Sequence, residues 1–327
     1  MSNEPNIQWP LDLVVAQTTP LTAEVRQLIL RAADGGALPA FSAGAHLAVC
    51  VQPHGTGSAA QRAYSLLNST AQSGHYEIAV KHEAHGAGGS RFMHALAPGD
   101  RLRAGMPKND FALHAAPHHA VLIAGGIGIT PILSMARWLD RAGQPFQLHY
   151  AARTPRAMPY RDEAAALGSA RATLYFDHGE PSRGMPLEQI LGAPAAGRHV
   201  YVCGPRPLID AVVSAARAYH WPAENVHLEL FGNTVPQAGD QPCRVVLARS
   251  GITLEVPAAQ SILDAMIGAG LDPMFDCRRG ECGVCAQRVL RGEPDHRDYA
   301  LSTGQHEVER LMCVCVSRAR GELVLDA

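Results

Sequence analysis

Lysine is almost absent from this chain of 327 residues: Lys81 and Lys108 are the only two, and arginine supplies the rest of its 28 basic side chains. The formal net charge is −2, so the arginine bias marks composition rather than a polyanion-binding surface, and nucleic-acid binding is not expected. Also missing is any apolar run of about eighteen residues, the length a membrane helix needs. Residues 1–9 are polar and lack the basic start and apolar core of a secretion leader. No internal repeat or low-complexity tract occurs. Of the eight cysteines, Cys50, Cys203, Cys243 and Cys313 are scattered rather than arranged as a disulfide framework. These absences lead us to expect a cytoplasmic protein with neither a membrane nor a nucleic-acid partner; a monomer is also expected. The length allows two or three domains.

What is present is a cysteine array. Cys277, Cys282 and Cys285 are spaced C-x4-C-x2-C, and Cys315 follows thirty positions later. That is the ligand spacing of plant-type [2Fe–2S] clusters. A lone CxxC more often holds zinc or works as a redox dithiol, but zinc knuckles come in pairs and there is no second CxxC. Gly280 and Gly283 let the loop wrap closely and aim backbone N–H groups at the bridging sulfides. The residues leave the fourth ligand open between Cys313 and Cys315. On one strand over 311–317 both would share a face, roughly 6.6 Å apart.

Upstream, residues 8–112 read as short β runs broken by Gly, Pro and polar clusters, which predicts an antiparallel barrel. Its strands are expected over 11–17, 25–31, 46–52, 62–67, 76–82 and 101–104, with a helix over 90–96. From residue 120 the character changes. Residues 121–124 form a continuous apolar run, typical of a strand buried on both faces. Helices over 132–141, 160–167, 186–191 and 207–219 then alternate with strands over 146–151, 173–176 and 199–203, the pattern of a doubly wound α/β domain. Residues 232–242 are rich in Gly, Pro and polar side chains and read as a linker. The expected domains are therefore 1–112, 113–231 and 243–327.

Four constellations stand out. In the barrel, Arg62, Ala63, Tyr64 and Ser65 alternate as a strand does, so that Arg62 and Tyr64 share a face, a guanidinium for phosphate and a ring for a planar ligand. Gly88 and Gly89 lead to Ser90, a good N-cap for the next helix and a second anion site. Gly125, Gly126, Gly128, Thr130 and Pro131 lie where a strand runs into a helix, which suits a pyrophosphate. Cys203, Gly204 and Pro205 follow a later strand of the same domain, at the sheet end where such folds bind ligands. Each alone is weak, since capped helices, Gly-rich turns and buried cysteines are common without a ligand.

Taken together with the cysteine array, these residues resemble the ferredoxin–NADP reductase superfamily, and more closely its phthalate dioxygenase reductase type, over nearly the whole chain. Residues 294–298, Pro-Asp-His-Arg-Asp, also resemble that subgroup. The resemblance implies an antiparallel barrel for flavin, an α/β nucleotide domain and a C-terminal α+β ferredoxin domain of β-grasp type. It implies Cys315 as fourth ligand, because Val316, Ser317, Arg318 and Ala319 follow it. Arg62 would hold the flavin phosphate with Gly89 and Ser90, Tyr64 would pack on the isoalloxazine, and Ser65 would hydrogen-bond near N5. Val80 and Lys81 would meet the ring through their backbone, and Phe231 would stack where nicotinamide enters. Ser65, Cys203, Glu229 and Phe231 are the residues expected at hydride transfer.

Members with this domain order use FMN, so FMN is expected rather than FAD. Asp177, after the strand over 173–176, would accept hydrogen bonds from ribose hydroxyls and repel a 2′-phosphate, favouring NADH. His178, Arg183 and Arg153 oppose that argument, and Asp177 also suits capping its own turn. The expected activity is an NADH-dependent reductase passing electrons through FMN and [2Fe–2S] to a Rieske-type oxygenase of aromatic or amine substrates. A cytochrome P450 as acceptor and a non-catalytic redox-sensing subunit are the competing readings.

Overall fold

Alternation of apolar and polar residues sets the first strands. On β1 (Leu11–Pro20) Leu13 and Val15 point inward, and on β6 (Arg101–Ala104) Leu102 and Ala104 do the same. β2 (Val25–Ala32), β3 (His46–Val51), β4 (Ala60–Ser65) and β5 (Tyr76–Lys81) complete an antiparallel sheet ordered β4-β3-β6-β1-β2-β5. Its edge strands β4 and β5 come together, which nearly closes it into a barrel. Helix α1 (Gly89–Ala95) follows β5 and buries Met93 in the barrel core. In this computed structural model the residues described are 9–52, 59–68, 74–84, 86–116, 119–180, 183–231, 237 and 239–327. They divide into two compact units, Met1–Glu229 and Leu230–Ala327. The linker expected over 232–242 falls largely outside the described residues.

The rest of the first unit is an α/β layer. Strands β7 (His119–Gly125), β8 (Phe146–Ala152), β9 (Ala172–Phe176), β10 (Arg198–Cys203) and β11 (Val226–Glu229) pair in parallel in the order β11-β10-β7-β8-β9. Helices α2 (Ile129–Arg141), α3 (Arg161–Ala166), α4 (Leu187–Leu191) and α5 (Arg206–Ala218) connect them. The chain adds β8 and β9 on one side of β7, then returns to lay β10 on the other. The C-terminal ends of β7 and β10 therefore flank the switch point where open α/β sheets bind ligands. The helix expected from residue 132 begins at Ile129. Pro131 is tolerated there because N–H groups of a first turn have no partner inside the helix.

Barrel and α/β layer are stitched by a buried ion-pair network. Arg137 on α2 donates to Glu77 (2.9 Å), to the carbonyl of Leu67 (2.9 Å) and to both oxygens of Glu163 (2.7 and 2.8 Å). Glu77 on β5 also accepts from Gln27 (2.7 Å) and the Tyr160 hydroxyl (3.2 Å). Breaking such a pair leaves charge in a dry place. Glu77→Leu is expected to destabilise the first unit by about 3–5 kcal/mol, measured as a lower denaturant midpoint for loss of the native fluorescence.

The second unit pairs β12 (Cys243–Leu247), β13 (Ile252–Val256), β14 (Ala286–Arg291), β16 (Leu311–Cys313) and β18 (Glu322–Leu325) in the order β13-β12-β18-β14-β16. Helix α6 (Ile262–Gly268), capped by Ser261, packs on it, and the short α7 (Thr303–Glu307) carries a capping box from Ser302 and Gln305. Strands β15 (Pro294–Asp295) and β17 (Arg318–Ala319) form a separate ribbon. The strand expected over 311–317 ends at Cys313, where the chain turns and Ser317 donates its N–H back to the Cys313 carbonyl (3.0 Å). Cys313 and Cys315 are therefore not on one extended face.

Candidate functional site

The barrel brings two of the expected phosphate-binding elements together. A Cβ placed on Gly89 would sit 3.0 Å from Arg62 Nε and 3.1 Å from its Cγ. Glycine at that position lets the start of α1 lie against the β4 guanidinium. Ser90 is not the N-cap. Gly88 is, in the left-handed region at φ 86°, and the Ser90 hydroxyl accepts the Glu83 N–H at 3.0 Å instead. The chain enters α1 through a positive-φ turn, so the serine lies inside the helix and looks back at the preceding loop.

Tyr64 is half-buried; burial pushes its pKa up to about 12, against a lowering by Arg62. Ser65, next along β4, is buried, and its hydroxyl has no hydrogen-bond partner among the described residues. Leaving such a group unpaired costs about 1–3 kcal/mol, so the position suits a ligand atom. Val80 is buried at the end of β5, with its carbonyl taken by the His94 ring at 2.8 Å, while Lys81 pairs with Glu83 at 3.0 Å. His94 lies on α1 and carries no motif, so sequence reading did not single it out.

At the switch point the glycines are fixed by close approach. A Cβ on Gly128 would lie 2.3 Å from the Cys203 carbonyl oxygen and 2.7 Å from the Gly204 nitrogen. One on Gly125 would lie 2.7 Å from Pro205. Gly126 instead needs glycine for its φ of 55°. Thr130 turns its hydroxyl inward to the Ile127 carbonyl (3.1 Å), and Pro131 is buried in the same first turn of α2. The loop after β7 and the loop after β10 thus pack directly against each other. Gly128→Ala is expected to destabilise by about 1–3 kcal/mol through overpacking and to raise the Kd for pyridine nucleotide. Equilibrium titration beside thermal unfolding checks both.

Cys203 and Glu229 are register partners on β10 and β11, and both are buried. Asp177 follows β9, the edge strand two places from β7, roughly 9.6 Å away at sheet spacing. Its Oδ1 accepts the Gly179 N–H at 2.8 Å, so the carboxylate does cap its own turn. Phe231 falls in the second unit and is 42% exposed.

The cysteine loop is built for sulfur. Arg279 and Glu281 donate backbone N–H groups to Cys277 Sγ (3.3 and 3.4 Å), and the Gly280 N–H is directed to the Cys315 sulfur. Cys285 Sγ and Cys315 Sγ are 3.1 Å apart. The neighbouring thiols of Cys313 and then Cys315 pull the Cys285 pKa down to about 3, against its burial. Cys285 and Cys315 are buried, whereas Cys282 is exposed. Gly280 is required by space as well as by its φ of 75°: a Cβ there would strike Val316 at 2.7 Å. Between the ligands, Glu281 pairs with Arg279 (2.9 Å) and accepts the Leu230 N–H, a pair that sequence reading did not find because neither residue carries a motif. Convergent thiols with N–H donors aimed at them fit a [2Fe–2S] cluster.

Three family models match successive parts of the chain: an oxidoreductase FAD-binding domain over residues 12–112, an oxidoreductase NAD-binding domain over 122–214 and a 2Fe-2S iron-sulfur cluster binding domain over 245–320. The chain is 39% identical over 319 residues to the phthalate 4,5-dioxygenase oxygenase reductase subunit of Pseudomonas putida, covering 96% of each. It is 39% identical over 320 residues to the carnitine monooxygenase reductase subunit of Escherichia coli K12, covering 96% of this chain and 98% of that one. Among solved structures, phthalate dioxygenase reductase, described as a modular structure for electron transfer from pyridine nucleotides to [2Fe-2S], superposes with a TM-score of 0.71 at 37% identity over 97% of this chain and 98% of that one. No helix among the described residues is long and apolar enough to cross a membrane. With domain order, cysteine array and near-full-length similarity in agreement, the chain belongs to the phthalate dioxygenase reductase type of oxygenase reductase components, flavin and iron–sulfur oxidoreductases of the ferredoxin–NADP reductase superfamily.

Proposed function

We propose that the flavin is FMN, that the preferred donor is NADH, and that the acceptor is a Rieske-type oxygenase. The observation that carries the site assignment is the buried Ser65 hydroxyl, without a partner among the described residues, beside Tyr64 and the Arg62–Gly89 contact. In this reading Arg62 holds the phosphate, with Gly88, Gly89 and Ser90 closing around it. Tyr64 covers the ring, Ser65 donates at N5, and Val80 and Lys81 contact the ring by backbone atoms. Gly125, Gly126, Gly128, Thr130 and Pro131 receive the pyrophosphate, with Cys203, Gly204 and Pro205 on the other side. Cys203 and Glu229 line the nicotinamide end. For Phe231 and for FMN over FAD the support is the family resemblance.

Cysteines 277, 282, 285 and 315 hold the cluster, which supplies one-electron transfer, while the flavin converts a hydride into single electrons. A plant-type cluster sits near roughly −400 mV and a Rieske centre at about −150 mV or above. A gap of about 250 mV drives each electron forward by roughly four decades in equilibrium constant. That direction favours a Rieske centre as the acceptor.

Anaerobic titration tests the electron count: complete reduction needs about 1.5 equivalents of NADH, two electrons for the flavin and one for the cluster. Heat-released flavin identified by mass separates FMN from FAD. Arg62→Ala is expected to release flavin, at a cost on the order of 1.5–3 kcal/mol, with iron content unchanged. If Asp177 selects against a 2′-phosphate, Asp177→Ala narrows the NADH/NADPH ratio of kcat/KM. An unchanged ratio removes it from that role.

A further inference from the structure

We propose that His296, Asp298 and His306 form a second metal site in the ferredoxin domain, one that takes a zinc-like divalent cation. One ligand atom from each of the three lies within 4.8 Å of the others. His306 Nε2 is 3.2 Å from both oxygens of Asp298. An ion with tetrahedral bonds of about 2.0 Å spaces its ligand atoms about 3.3 Å apart, so that pair already spans one edge of such a shell. The His296 ring stacks on His306 with centroids 3.8 Å apart, and its Nδ1 is buried without a hydrogen-bond partner among the described residues. Turning that nitrogen toward the pair gives it the partner it lacks.

The surroundings orient the ligands as a metal site requires. The Asp298 side chain is buried and is held by the Leu301 N–H (3.0 Å) and the Ser317 hydroxyl (3.3 Å). His296 and His306 face a pocket that also contains Glu293, Glu307, Arg310 and Arg320, which leaves a fourth position for water or a carboxylate. Arg310 is occupied by the carbonyls of Val289 (3.0 Å) and Gly292 (3.2 Å), and Arg320 faces Asp295 at 3.6 Å. Two imidazoles and a carboxylate suit zinc, whereas the thiolates suit iron–sulfur, so the two sites sort their metals by ligand chemistry.

The position gives the site leverage on the cluster loop. Tyr299 and Ala300, the two residues after Asp298, donate their N–H groups to the Gly280 carbonyl (2.9 and 3.1 Å). A cation fixing Asp298 would brace the loop that carries Cys277 and Cys282.

Holoprotein of full length, incubated with zinc and passed through a desalting column, tests this by zinc and iron analysis. The expected result is about one zinc per chain at unchanged iron, and at least about tenfold weaker zinc retention in His296→Gln and in His306→Gln. The visible spectrum reports whether each variant keeps its cluster, and either variant suffices if the other does not. No zinc in the wild type, equal zinc in the variants, or zinc gained in step with iron lost would each overturn the proposal.

Discussion

Serine in place of Cys277, Cys282, Cys285 or Cys315, one at a time, is expected to abolish the cluster, whereas Cys313→Ser keeps it. Iron, acid-labile sulfide and the EPR signal of the reduced protein read this directly. The choice between Cys313 and Cys315 now rests on more than spacing. Both thiols reach Cys285. Cys315, however, also receives the Gly280 N–H from the loop that carries Cys277 and Cys282. Cys313 ends β16 opposite Ala286, on the strand side of the turn that carries Cys315. Serine there exchanges a buried thiol for a hydroxyl and costs stability rather than iron. Cluster loss in Cys313→Ser with retention in Cys315→Ser would reverse the assignment.

A chain ended near Gly239 is expected to keep hydride uptake and lose electron delivery. Met1–Glu229 is a compact unit with two apolar cores of its own, one in the barrel and one under the parallel sheet. Leu66 joins the first core and Leu67 the second, so adjacent residues tie barrel and sheet without help from the ferredoxin domain. Flavin bleaching by NADH should stay within a few-fold of the full chain. Cytochrome c reduction should fall on the order of 100-fold or more, a barrier change of at least about 2.7 kcal/mol. Equal loss of both rates would place part of the nicotinamide site in the ferredoxin domain.

Sequence made the C-x4-C-x2-C array and the order of domains legible because both are written in local pattern: fixed cysteine spacing, period-two strands and a buried run before a glycine turn; the fourth thiol, Cys313 or Cys315, it left open. Strands β1 to β6 lie within a few residues of expectation for that reason. Short elements escaped. β11 is four residues long and half-buried for most of its length, with no alternation to betray it. The run over 311–317 looked continuous because its residues are apolar, yet the chain turns after Cys313 to bring Cys315 to Cys285. Ser90 had the right chemistry for a cap and the wrong position by two residues. Contacts between distant residues, such as Gly128 with Cys203, Gly280 with Val316 and Arg137 with Glu77, leave no local trace, and they carry much of the site's precision.

The contact of Gly128 with the Cys203 carbonyl also limits how this protein can change over time. The loops after β7 and β10 share one wall of backbone, so a substitution at their contact is felt by both. The turn after β9 stands apart from that wall, with open space around Gly179. On the proposed assignment, coenzyme preference can drift by single steps at the sheet edge, around Asp177, while the loops after β7 and β10 stay frozen. A laboratory selection for NADPH use should accumulate its changes there and leave residues 125–131 and 203–205 untouched.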